Sequence, residues 1–131
     1  MQLLEEELTH AIIGGFYAVY NRLGYGFREY IYSVALEREL MRRGLHVARE
    51  VRFPVYYRGE FLAWEQADML VEDRVVVENK SRRRLHQSDY LQLKSYLRSS
   101  KLQVGLLLDY GVKARFYRAI GTQMGGSETA S

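Results

Sequence analysis

The chain has 131 residues, 47% of them apolar and 27% charged, with a formal net charge of +3 and a pI near 9.2. That length suits one domain with a real core, and the composition is that of an ordinary globular protein, not a disordered or fibrous one. The absence of cysteine excludes disulfides and thiolate metal sites, so any metal must be held by oxygen or by one of three histidines. No apolar run approaches the roughly 20 residues of a membrane span. The first residues, Met1 to Glu7, are acidic where a secretory signal is basic. A cytoplasmic protein with no membrane partner is therefore expected. Basic residues gather at Arg42-Arg43, at Arg49 and Arg52, and from Lys80 to Arg84. Such clusters admit a polyanionic partner without demanding one, since a charge run is commonly only a solvated face.

Leu4, Leu8, Ile12, Gly15, Phe16, Val19 and Leu23 recur at helical spacing, which predicts an amphipathic helix over residues 3–22. Gly24-Tyr25-Gly26 breaks it. A second helix is expected from Phe27 or Arg28 to Arg43, with Gly44 as its C-terminal stop. From Val47 to Tyr57 apolar and polar residues alternate, the mark of a strand, and Pro54 puts it near a sheet edge because proline cannot donate to a ladder. Arg58-Gly59 reads as a hairpin turn, Phe61 to Val71 as a strand, Glu72 to Arg74 as a turn and Val75 to Lys80 as a third strand. Helix character returns from Gln87 to Arg98. Val104 to Leu108 is an all-apolar run, typical of a strand covered on both faces. Asp109-Tyr110-Gly111 is expected to turn the chain into a last strand, Lys113 to Arg118. The expected organisation is one α/β domain over residues 1–120, a mixed sheet with flanking helices, and a small, polar, disordered tail at 121–131.

The stretch with chemical potential is Asp68 followed by Glu78-Asn79-Lys80. If Glu72 to Arg74 is a three-residue loop, Val71 pairs with Val75 and Asp68 lies opposite Glu78. Strand residues alternate faces, so Glu78 and Lys80 share one and Asn79 points away. A two-residue loop would instead set Asp68 opposite Val77 and loosen the patch. Adjacent carboxylates repel unless a cation sits between them, and Mg²⁺ or Mn²⁺ takes oxygen ligands of this kind. A lysine in reach completes the parts that metal-assisted phosphodiester hydrolysis needs. Alone, the string is short and made of common residues, and a cross-strand ion pair on a solvated face is its commoner meaning. The context is a strand, Val75-Val76-Val77, that ends abruptly in polar groups, followed by a helix with Gln92 and Tyr96 on one face. Upstream, Glu29 falls in the first turn of the second helix, where the helix dipole alone would favour it.

Leu23-Gly24-Tyr25-Gly26-Phe27 with Glu29 and Tyr32 resembles the signature of the GxxExxY protein family, assigned to the PD-(D/E)xK nuclease superfamily. The resemblance extends over Ile12 to Arg118. It takes in Asp68, Glu78-x-Lys80, the helix with Gln92 and Tyr96, and the strand Gly105 to Leu108. It implies a restriction-endonuclease-like fold and a nuclease dependent on Mg²⁺ or Mn²⁺. Asp68 and Glu78 would be metal ligands, Lys80 the catalytic lysine and Glu29 an additional carboxylate. Gln92 and Tyr96 would support the site or contact substrate. Asn79 departs from the pattern, which usually has an apolar residue there; if buried it needs a hydrogen-bond partner. Glu65 adds a carboxylate expected on the face opposite Asp68. Arg82, Arg83 and Arg84 are positioned to hold phosphates beside the site. His10, His46 and His86 carry no argument. Nucleic acid, DNA before RNA, is the expected partner, and a homodimer is compatible with so small a nuclease. The alternative is a nuclease-fold module that binds nucleic acid or protein with little or no turnover.

Overall fold

The computed structural model describes residues 4–121; the segment expected to be disordered lies, from residue 122 onward, outside them. The elements run α1 (Glu6–Leu23), α2 (Glu29–Arg42), β1 (Val47–Tyr57), β2 (Glu60–Val71), β3 (Val75–Lys80), α3 (Gln87–Ser100), β4 (Val104–Tyr110) and β5 (Ala114–Ile120). One sheet orders the strands β1-β2-β3-β4-β5. The β3–β4 pair is parallel and the other three pairs are antiparallel. Parallel neighbours need a crossover, and α3 supplies it. Pro54 does sit on an edge strand, β1.

Two apolar layers enclose the sheet. On one face α1 and α2 bury Ile12, Phe16, Tyr32, Leu36 and Leu40 against Met69, Val77, Leu106 and Leu108. On the other, Leu93, Tyr96 and Leu97 of α3 cover Val76, Leu107 and Ala119. Every residue of β4 is buried, as its unbroken apolar run predicts for a central strand.

The last two strands differ from expectation. Asp109 and Tyr110 continue β4 instead of turning, paired with Arg115 and Ala114, so β5 begins at Ala114 and runs to Ile120. The reason is Tyr110, which sequence marks as a turn neighbour but which is wholly buried. Its ring stacks on Tyr32 at 4.4 Å and meets Phe16 edge-on at 4.8 Å. Helix α3 also runs two residues further, to Ser100, and ends on Lys101 in a left-handed conformation in place of a glycine.

The turn after β4 braces the segment that follows β3. A Cβ on Gly111 would lie 2.1 Å from the carbonyl oxygen of Arg82, and the Gly111 carbonyl itself accepts a hydrogen bond from the Tyr20 hydroxyl at 2.6 Å. Gly111→Ala is thus expected to force backbone movement and cost about 1–3 kcal/mol, the usual range for overpacking. Urea unfolding would read this as a lowered midpoint with an unchanged slope.

Candidate active site where the β2–β3 ladder ends

The ladder between β2 and β3 pairs Val71 with Val75, Leu70 with Val76 and Met69 with Val77, and there it stops. This is the three-residue-loop register, and it carries Asp68 to Glu78. At that step side chains take over from backbone. The Asp68 N–H donates to Glu78 Oε1 at 2.8 Å, and the Asn79 N–H donates to Asp68 Oδ2 at 2.8 Å. Each carboxylate thus satisfies an N–H on the opposite strand that the ladder has released. Lys80 Nζ stands 3.8 Å from Glu78 Oε2 and 3.9 Å from Asp89 Oδ1.

Asn79 points to the other face and is wholly buried. Its Nδ2–H donates to Ser33 Oγ of α2 at 3.1 Å, and its Oδ1 accepts from the Tyr110 hydroxyl at 3.0 Å. The unusual residue in the E-x-K element therefore has its partners, and it bolts β3 to α2 and β4. Glu65 departs from expectation. Simple alternation places residues 65, 67, 69 and 71 on one face, yet Met69 and Val71 pack under α1 and α2 while Ala67 packs under α3. The change of face falls at Asp68, beside a β1 stretch where Glu50 is left-handed with φ 57° and missing from the ladder. Glu65 is carried to the α3 side and accepts from Ser95 and Ser99 at 2.7 and 2.8 Å.

Glu29 is the first residue of α2 and stands at the rim, its Oε2 accepting from the Ser81 N–H at 3.3 Å. Its placement depends on Tyr32, whose hydroxyl donates to the Gly24 carbonyl and accepts from the Phe27 N–H, so that the loop before α2 is closed onto its own helix. Tyr96 is buried beneath the pair and Gln92, one turn earlier, is exposed at the helix surface. The arginine triplet divides. Arg82 has Nε 3.2 Å from Asp89 Oδ2, whereas Arg83 and Arg84 are exposed. Asp89 and Asp109 were not singled out from sequence. Asp89 occupies the third position of α3, where a carboxylate commonly caps the helix start, and it does accept from the His86 N–H at 3.0 Å. Nothing in the sequence marks its second contact, with Lys80. Asp109, read as a turn residue, is a buried strand residue whose Oδ1 accepts from the Arg82 N–H at 3.2 Å.

Residues 6–119 match the family profile of the PD-(D/E)XK nuclease superfamily. The chain belongs to that superfamily. Among solved structures it resembles one described as the crystal structure of SSO0001, with 20% identity and a TM-score of 0.61 over 92% of this chain. It also matches an alkaline exonuclease, LHK-Exo, from Laribacter hongkongensis, at 12% identity and a TM-score of 0.43 over 65% of this chain. The matches span 61% and 52% of those two chains. A comparison with curated proteins finds no match. The first structural likeness, with the family match, identifies the fold as restriction-endonuclease-like.

At this candidate site, burial and mutual repulsion act together. Glu78 is only 3% exposed, and its carboxyl is pushed up to about 8, first by burial and then by the charge of Asp68. The Asp68 N–H and Lys80 oppose that rise without cancelling it. Asp68 is also raised, by burial above all, against the pull of the Asn79 N–H and Lys80. Burial and then the charges of Glu78, Glu65 and Asp68 hold the Tyr96 hydroxyl well above its ordinary value. At neutral pH the metal-free pair retains a proton. A glutamate in the unfolded chain releases its proton near 4.5. Between about 4.5 and about 8 the folded protein therefore holds a proton that the unfolded chain has lost, and stability falls as pH rises. Glu78→Gln should flatten this slope and stabilise the metal-free protein most at the alkaline end. Parallel slopes in urea melts of the two proteins would contradict that assignment.

Proposed function

We propose that the chain is a divalent-metal-dependent nuclease of the GxxExxY branch, cytoplasmic, hydrolysing phosphodiester bonds with DNA the favoured substrate. The observation that carries this is the buried pair of carboxylates at the end of the ladder, held together by backbone hydrogen bonds although their charges repel. A hard cation relieves that repulsion. Among the described residues no three acidic or histidine side chains converge as a closed metal group. Mg²⁺ and Mn²⁺ do not need one, since either is commonly bound by one or two carboxylates with waters and a substrate phosphate filling the rest. The donor set fits.

Asp68 and Glu78 would hold the ion, with Glu29 at the rim reaching it through water. When bound, the ion supplies Lewis acidity and a lowered pKa for an attacking water. Lys80 keeps its ammonium beside the Glu78 carboxylate, where it can orient that water and stabilise charge on the phosphoryl oxygens. Asp89, on the far side of Nζ, fixes the lysine in this position. Tyr96 and Gln92 would support the site from α3. Arg83 and Arg84 would contact phosphates outside it, while Arg82 serves chiefly to anchor Asp89.

In Mn²⁺ the purified chain should cleave a mixture of DNA and RNA substrates, and EDTA should stop it. Lys80→Ala is expected to lose about 10²–10³-fold in cleavage, the usual loss for a preorganised charge stabiliser, while still binding Mn²⁺ by calorimetry. Asp68→Ala and Glu78→Ala should lose both. Metal binding by the native chain with no cleavage of any substrate would favour the binding-module reading instead.

A further inference from the structure

The hairpin of β1 and β2 is longer than the sheet needs. Its strands run for 11 and 12 residues, yet β3 pairs with β2 only from Met69 to Val71. The stretch Glu60 to Ala67 therefore projects past the carboxylate pair, with β1 as its one strand partner. One face of this projection is accounted for: Phe53 packs under α3 and its partner Glu65 is hydrogen-bonded to the helix. The intervening pairs, Arg52 with Gln66, Pro54 with Trp64 and Tyr56 with Phe61, present the opposite face.

That face is an open row of rings. Trp64, Phe61 and Tyr56 are 53%, 49% and 61% exposed. They form a chain, Phe61 lying 5.3 Å from Trp64 and 6.1 Å from Tyr56. Exposed aromatic clusters of this size mark interaction surfaces. The charged side chain in register with them is Arg52, so a cation accompanies the rings. Trp64 lies four residues and roughly 13 Å from Asp68 along β2, so the row begins near the candidate active site, across the change of face at Asp68. A row of stacking rings with a neighbouring cation is the chemistry that holds unpaired bases, because every base has a π-face whatever its sequence.

We infer that the Tyr56–Phe61–Trp64 face of the β1–β2 hairpin is a stacking platform for unpaired bases, feeding a single strand or a frayed end to the carboxylate pair. The substrate half of this rests on the nuclease reading; the binding half does not. Trp64 is the one tryptophan in the chain, so its emission reports this face directly. The experiment titrates the native chain with labelled oligo(dT), oligo(U) and a blunt duplex in EDTA, following anisotropy and tryptophan emission together. Saturable quenching by the single strands, with weaker binding of the duplex, is expected. Trp64→Ala and Phe61→Ala should each weaken single-strand binding by about tenfold, with Trp64→Tyr restoring most of it. Absence of single-strand binding, binding that leaves Trp64 emission unchanged, or equal affinity in Trp64→Ala would overturn the proposal. So would a dimer in sedimentation that Trp64→Ala dissociates, since the occupant would then be a second copy of this chain. Quenching without any metal-dependent cleavage would remove the nuclease reading and leave the platform standing.

Discussion

Two carboxylates that repel one another are pinned side by side because each accepts a hydrogen bond from the other strand's backbone. That constraint follows from where the β2–β3 ladder stops. Past Met69 and Val77 the strands part, two N–H groups lose their ladder partners, and Asp68 and Glu78 take them up at 2.8 Å each. A released N–H left without a partner costs about as much as a lost hydrogen bond, so the carboxylates cannot swing away to relieve their repulsion. The strain is expressed as a retained proton on Glu78. Binding a cation would take the place of that proton without moving the scaffold.

The surrounding elements serve this geometry from both sides of the sheet. Toward α1 and α2, the buried Asn79 is fixed by Ser33 and Tyr110, so the backbone on either side of it, with Glu78 and Lys80, has one orientation. Tyr32 contributes twice, stacking on Tyr110 and closing the loop that leads to Glu29. Toward α3, Asp89 holds Lys80 and Arg82 while capping its own helix, which couples the start of the crossover helix to Lys80. A loss at Asp89 would loosen three features together.

Much of this was legible in the residues. The strand limits of β3, the edge position of the Pro54 strand and the turn of Asn79 to the face opposite Glu78 follow from strand periodicity, and a three-residue loop sets Asp68 opposite Glu78. What escaped has a common cause: it depends on contacts distant in sequence. Tyr110 looks like a turn residue until its stacking on Tyr32 is seen. The change of face at Asp68 falls beside a left-handed Glu50 on a different strand, and without it Glu65 is assigned to the wrong side. Asp89 carries an ordinary helix-start signal that conceals its contact with Lys80. The arginine triplet reads as one patch, yet Arg82 is separated from its neighbours by a buried aspartate three-dimensional folding alone reveals.

If the retained proton marks the place of a cation, that proton must leave when the ion binds. Calorimetric titration of the metal-free chain with Mn²⁺ at pH 7, in buffers of different ionisation enthalpy, counts the protons released on binding. The account predicts a release of about one proton per bound ion, abolished in Glu78→Gln, because the ion must displace the proton that burial and Asp68 hold there. Binding with no proton release, or release unchanged in Glu78→Gln, would show that the ion goes elsewhere and that the pair was not built to receive it.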